Sequence, residues 1–258
     1  IYRRIVATDA RNFDALHMLG IVCTDQGKFE EAERFFEQAV AVDRTFPPFF
    51  HNFGLHYSKR KQFEKAIAQF DRALQLYPNY PPVLSDRGSA LTEIGRLKEA
   101  LESHNKAVAL APNVPMVFSN RALTHLKAQD PQAALADYDE AIKRATNSPD
   151  IWLRRGNALI QLKHYEDAVA DLDKAIALNP GSTDAWSQRG DALYELKRYD
   201  EALVSYETAA RLKPEFTDTT FCAAFIRLLL GDAEGGWRDY EARWDTRQYM
   251  GAKRNFTQ

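Results

Sequence analysis

Three columns of small residues recur along this chain with a single stride. Gly20, Gly54 and Gly88 stand 34 residues apart, and the series runs on through Ala122 to Gly156 and Gly190. A second column holds Ala32, Ala66, Ala100, Ala134, Ala168 and Ala202, and a third holds Ala39, Ala73, Ala107, Ala141, Ala175 and Ala209. Three columns in one register over six periods mark a helix–turn–helix repeat that stacks on copies of itself. Glycine or alanine at these places lets two helix backbones approach closely while larger neighbours fill the grooves. Such an array offers a long binding wall rather than a catalytic cleft.

One period shows how the pair is built. From Pro47 to Tyr80, Phe50, Phe53 and Tyr57 follow helical spacing and give the first helix its apolar stripe. Lys59 to Gln62 form a polar turn, and Phe63, Ala66, Ile67, Phe70, Ala73, Leu74 and Leu76 mark the second helix. Pro78 ends that helix because proline lacks the backbone donor, and Pro112, Pro180 and Pro214 stand at the same place in other periods. Asp130 followed by Pro131 predicts an N-cap with proline in the first turn.

Composition narrows the function. A formal net charge of −2 gives no basic surface for nucleic acid, and no run of ~18 apolar residues would span a membrane. Cys23 and Cys222 lie about six periods apart, which predicts no disulfide and fits a reducing, cytoplasmic setting. The sequence opens on Ile1, inside an expected helix, and reads as a segment of a longer protein.

The sixth period carries Trp186, Arg189, Gly190, Leu193, Ala202, Tyr206, Ala209 and Pro214 at signature positions, and the fifth repeats Trp152, Gly156, Ala168, Leu172, Ala175 and Pro180. With these residues the chain resembles the tetratricopeptide repeat family, departing at Arg189 and Leu193. The resemblance implies an all-α, right-handed superhelical solenoid of antiparallel helix pairs that binds proteins or peptides. The expected division is a leading helix at 1–12, then repeats at 13–46, 47–80, 81–114, 115–148, 149–182 and 183–216. A degenerate seventh repeat or capping helices at 217–250, and a tail or the start of a further domain at 251–258, follow. In repeat seven Ala224 keeps the glycine column, while Gly236 and Arg243 replace the two alanines. Residues 228–244, from Leu228 through Gly235, Gly236 and Trp237 to Trp244, resemble the junction at which bacterial repeat arrays meet a glycosyltransferase-like domain, as in O-linked N-acetylglucosamine transferases. The apolar Phe221, Phe225, Leu228 and Leu229 of that repeat are expected to be covered by a helix bearing Trp237 and Trp244, or by a following domain.

The resemblance also nominates the inner wall, through the first-helix positions that face the groove in this family. The candidate partner-binding residues are His17, His51, Asn52, Ser85, Asp86, Ser89, Asn120, Arg154, Asn157, Gln188, Asp191 and Tyr194. Amides such as Asn52, Asn120, Asn157 and Gln188 both donate and accept, and so match a main chain whatever its side chains. In the glycosyltransferase relatives an asparagine ladder holds the acceptor backbone, and Asp86, Arg154 and Gln188 interrupt that ladder here. The family's carboxylate clamp is excluded because Asp86 would repel a terminal carboxylate. His17 and His51 occupy equivalent positions, so their rings are expected to approach each other as polar lining. No nucleophile elbow, phosphate loop or H-E-x-x-H motif is present, so no catalytic residue, cofactor or metal is expected. Asp137, Asp139 and Glu140 are read as a solvated surface beside Lys143 and Arg144. Three functions follow: a scaffold that binds a partner peptide, the acceptor-recognition arm of a glycosyltransferase, or a homo-oligomer joined through the apolar face of repeat seven.

Overall fold

The computed structural model describes residues 1–214 and 217–240, and among these there are fifteen α-helices and no strand. The chain divides into two compact units, Ile1–Arg144 and Ala145–Gln258.

The first unit holds α1 (Tyr2–Thr8), α2 (Phe13–Asp25), α3 (Phe29–Val42), α4 (Pro47–Lys59), α5 (Phe63–Leu76), α6 (Pro81–Glu93), α7 (Leu97–Leu110), α8 (Pro115–Lys127) and α9 (Pro131–Arg144). Helices pair in order, α2 with α3 through α8 with α9. The first helices α2, α4, α6 and α8 also touch one another in sequence, which makes them one continuous wall. The second unit holds α10 (Pro149–Gln161), α11 (Tyr165–Leu178), α12 (Thr183–Glu195), α13 (Tyr199–Leu212), α14 (Thr217–Leu229) and α15 (Ala233–Tyr240), paired in the same way.

Local chemistry explains the boundaries. Pro47, Pro81, Pro115 and Pro149 open first helices, where the missing backbone donor costs nothing and φ is already helical. Asn12, Asp130 and Ser182 cap helices by accepting from Ala15, Ala133 and Ala185. Each turn between paired helices contains one residue in the left-handed region: Gly27, Lys61, Gly95, Gln129, Lys163, Lys197 and Gly231. The next residue donates its amide back across the end of the first helix, as Gln62 does to the Tyr57 carbonyl at 2.9 Å.

The small columns sit at the closest helix approaches, and all six residues of the Ala32 series are fully buried. A Cβ added at Gly20, Gly54, Gly88 or Gly190 would lie within 3 Å of a ring on the partner helix, from Phe36, Phe70, His104 and Tyr206 respectively. At Gly156 it would meet Leu172.

Candidate functional site

The inner residues of the first unit are tied from one repeat to the next by a regular pattern of side-chain bonds. Asn52 donates Nδ2–H to His17 Nε2 at 3.0 Å, His51 Nε2 bonds Asp86 Oδ2 at 2.6 Å, and Asn120 donates Nδ2–H to Ser85 Oγ at 3.0 Å. Each pair spans 35 residues, so the fifth residue of one repeat meets the sixth of the next. Each histidine bonds the sixth position of the following repeat, His17 to Asn52 and His51 to Asp86. His17 is buried against Phe13, Phe46 and Phe49, and burial lowers its pKa against a smaller opposing effect of Asp14. Since its Nε2 accepts from Asn52, the ring proton belongs on Nδ1.

A second line of bonds runs deeper. Thr24 donates its hydroxyl to the Gly20 carbonyl at 2.8 Å and therefore accepts from His56 Nδ1–H, also at 2.8 Å. Thr92 and Thr124 share a 2.7 Å bond at the equivalent place. Along the solvent edge Lys59 pairs with Asp25 and Lys127 with Glu93, exposed contacts worth about 0–1 kcal/mol each.

Two hollows open on this wall. One, of about 140 Å³, is bordered by Leu55, Ser58, Asp86, Ser89, Glu93, Asn120 and Leu123. The other, of about 230 Å³, is bordered by Pro81, Pro82, Ser85, Val114 and Met116. Asp86 and Asn120 border both. Of the seven candidates in this unit, Ser85, Asp86, Ser89 and Asn120 reach a hollow, whereas His17, His51 and Asn52 act as tethers behind it.

In the second unit Arg154 and Gln188 are half-buried and hold no side-chain hydrogen bond among the described residues. Asn157 keeps a buried Oδ1 without a partner. Tyr194 lines a cavity together with Tyr206, Phe221, Cys222, Phe225 and Ile226, and Asp191 accepts the Tyr206 hydroxyl at 2.5 Å.

The sequence reading passed over a fourth column: Arg87, Arg121, Arg155 and Arg189, again 34 residues apart. Arg121 grips Asp137 with two bonds of 2.8 and 2.6 Å, and Arg155 grips Asp171 with bonds of 2.6 and 2.7 Å. Arg87 joins Asp71 to Ser103, and Arg189 joins Asp173 to Ser205. Asp137 is therefore buried under an arginine, which corrects its expected place on a solvated surface. Glu140 does lie on such a surface, held at a pKa of about 2 by bonds from Lys143 and Arg144.

Only part of the cover expected over repeat seven falls among the described residues. Tyr240 packs on Phe221 with ring centroids 5.4 Å apart, but Trp237 is 60% exposed, and Phe225 and Leu229 stay open. Trp244, Arg243 and the 251–258 tail lie outside the described residues. Among those residues no helix is long and apolar enough to cross a membrane, and no three His, Cys, Asp or Glu side chains gather for a metal.

Profiles of the tetratricopeptide repeat match residues 13–46 and 47–80, and a second profile of the same repeat matches 119–183 and 153–215. Together these matches span more than half of the chain. No curated protein sequence matches it. Among solved structures the chain is similar to yeast Tom70, with a TM-score of 0.74 and 17% identity, over 97% of this chain and 55% of that one. It is similar to a chain of the APC/C hetero-tetramer Cut9–Hcn1, with a TM-score of 0.70 and 14% identity, over 98% of this chain and 49% of that one. A tetratricopeptide repeat protein from Parabacteroides merdae aligns over 95% of this chain and 94% of its own, with a TM-score of 0.68 and 16% identity. The chain thus spans about half the length of the first two, and at these identities the likeness concerns the fold.

Proposed function

Since the chain belongs to the tetratricopeptide repeat family, whose fold is that of protein-interaction scaffolds, we propose that the first-helix wall of residues 1–144 binds an extended segment of a partner protein. The observation that carries this reading is the pair of hollows divided by Asp86 and Asn120. Asn120 commits one N–H to Ser85 and keeps its carbonyl and second N–H for a ligand. Asp86 accepts from His51 through one oxygen and has the other for a main-chain N–H. An acceptor beside a donor–acceptor pair matches the alternation of a peptide backbone, and the tethers behind them hold both in place before binding. Assembly of a similar fold with another protein, as in Cut9–Hcn1, agrees with this use of it.

The test is a random peptide-display selection on the parent protein, followed by affinity measurement on Asp86→Ala combined with Asn120→Ala. The expected result is at least ~10-fold weaker binding in a variant that stays folded, with a lower melting temperature from the lost His51 and Ser85 bonds. Ser85→Ala, which breaks one tether and keeps Asp86 and Asn120, should bind like the parent. Equal affinity of the double variant would overturn the reading. A second reading rests on residues 228–244 and their resemblance to a transferase junction, in which the same wall presents an acceptor protein. Transfer of labelled sugar from a nucleotide sugar to a bound peptide by the native protein supports it, and its absence removes it. Self-association rests on exposed Phe225 and Leu229, and light scattering that stays monomeric at high concentration removes that third reading.

A further inference from the structure

The two hollows that flank Asp86 and Asn120 differ in chemistry. The larger lies between the starts of α6 and α8, and its border is mostly aliphatic, with Pro81, Pro82, Val114, Met116 and Val117. Val114 and Met116 are 46% and 38% exposed, so this border is open to a ligand. The smaller lies further along α4, α6 and α8, where two carboxylates, Asp86 and Glu93, stand among Leu55, Ala90 and Leu123. Its volume of about 140 Å³ falls below the ~300 Å³ at which pockets take whole small molecules, and suits one side chain.

Among the described residues no lysine or arginine borders either hollow. Lys127 reaches Glu93 Oε1 from the solvent edge at 2.8 Å and leaves Oε2. Ser89 donates its hydroxyl to the Ser85 carbonyl at 3.1 Å, so it meets a ligand as an acceptor. His51 bonds one oxygen of Asp86 and leaves the other. The smaller hollow thus gathers acceptors at Asp86, Ser89 and Glu93. An acidic side chain there would face two like charges, and an apolar one would draw both carboxylates out of water without a partner. A cation gains charge-assisted hydrogen bonds instead.

We propose that the partner segment carries an aliphatic side chain for the larger hollow and, two residues away, a lysine or arginine for the smaller. The basic side chain lays its methylene stem along Leu55 and Leu123, and Glu93 and Ser89 hold its cation in the field of Asp86. The inference rests on the reading that this wall binds an extended segment, and adds the residue classes which that segment must carry. The spacing follows from strand geometry. Alternate side chains of an extended chain share one face about 7 Å apart, and the two hollows are neighbours because Asp86 and Asn120 border both.

The experiment uses the whole chain labelled at its methionine and leucine methyls, because Met116 reports the larger hollow and Leu55 and Leu123 the smaller. The probes are end-blocked five-residue peptides of glycine with leucine and lysine at the second and fourth places, made in both orders. Saturable shifts at both hollows are expected with at least one order. Glutamate in place of lysine should weaken binding at least ~10-fold, and norleucine at least ~3-fold. Glu93→Gln, at an exposed side chain whose change does not threaten folding, should weaken the lysine peptide at least ~3-fold and leave the norleucine peptide unchanged. Glutamate or norleucine binding as well as lysine, a Glu93→Gln variant that binds lysine like the parent, or no saturable shift with any of these peptides would each overturn the proposal. The display-selected peptide is titrated in parallel. If it shifts Met116 and Leu123 where the lysine peptides fail, only the residue assignment falls; if it leaves them unmoved, the reading of the wall falls with it.

Discussion

Repeats one and two of the first unit differ from repeats three and four in what fills the same frame. At one column the first pair places Leu19 and Phe53, and the second places Arg87 and Arg121. At the column facing the glycines the first pair has Phe36 and Phe70, and the second has His104 and Tyr138. The result is an aromatic cluster in α2–α5, where Phe36 stacks on Phe53 at 4.9 Å and Phe53 on Tyr57 at 4.8 Å. In α6–α9 charged clasps and a buried histidine stand in its place. The close approaches at the small residues are common to both, so backbone spacing defines the repeat and the interior chemistry is free to vary. The freedom has a cost, because a clasp depends on both partners remaining present while an aromatic cluster loses contacts gradually.

The largest effects should come from removing one member of each kind. Phe70→Ala empties a fully buried ring site and is expected to destabilise by about 3–5 kcal/mol in urea unfolding. Arg121→Ala leaves the buried Asp137 carboxylate with only the His125 ring, 3.8 Å away, and should cost a similar ~3–5 kcal/mol. Replacing both partners, Arg121→Met with Asp137→Leu, should recover most of that loss, a recovery the aromatic site has no means to show. A loss well under 1 kcal/mol for Arg121→Ala would mean that the clasp contributes little and that the second region does not depend on it as the first depends on its rings.

His104 sharpens the comparison at intermediate scale. It is fully buried with both ring nitrogens unpartnered, and burial lowers its pKa from 6.5 to about 4, with Arg121 and His125 adding to that. The neutral ring is favoured in the folded protein, so its contribution is complete above about pH 6.5 and is lost as pH falls toward about 4. The loss is on the order of 3 kcal/mol. His104→Phe, which copies Phe36 and Phe70, should stabilise by about 1–3 kcal/mol at neutral pH by removing two unsatisfied polar atoms. It should also flatten this part of the acid limb. Urea midpoints measured from pH 4 to 7 on parent and variant check both expectations.

The smallest effect concerns the turns. Lys61 closes repeat two with φ 57°, where repeat three uses Gly95 at φ 78°. Lys61→Gly should stabilise by roughly 0.5–1 kcal/mol through relief of left-handed strain, and Gly95→Ala should destabilise by about as much. A thermal melt of each variant resolves the sign.

These contrasts show which features a single sequence displays. The glycine and alanine columns and the prolines that follow second helices were legible because each is a one-residue property repeated at a constant stride, and the Asp130–Pro131 cap because that pair is a helix-start signal by itself. The arginine column had the same stride and was equally legible. It was missed because arginine is normally read as surface, and nothing local shows that Asp137 and Asp171 turn inward beneath it. Lys61, Gln129, Lys163 and Lys197 gave no turn signal of their own, and only their alignment with Gly27, Gly95 and Gly231 reveals the left-handed position. The partners of His17 and His51 were hidden for a geometric reason. At this level of the wall the fifth residue of one repeat bonds the sixth of the next, so these partners lie 35 apart while equivalent residues lie 34 apart. Asp191 and Tyr194 were nominated as ordinary wall residues, and their association with Tyr206 and Phe225 depends on an inter-helix packing that no stride encodes.

The most direct test of the account is backbone hydrogen exchange of the whole chain, free and saturated with a display-selected peptide. Binding along the first-helix wall predicts added protection concentrated in α4, α6 and α8, strongest around Asp86 and Asn120, with α5 and α7 unchanged. Protection falling on α5, α7 and α9 instead, or none in the first unit, would contradict it.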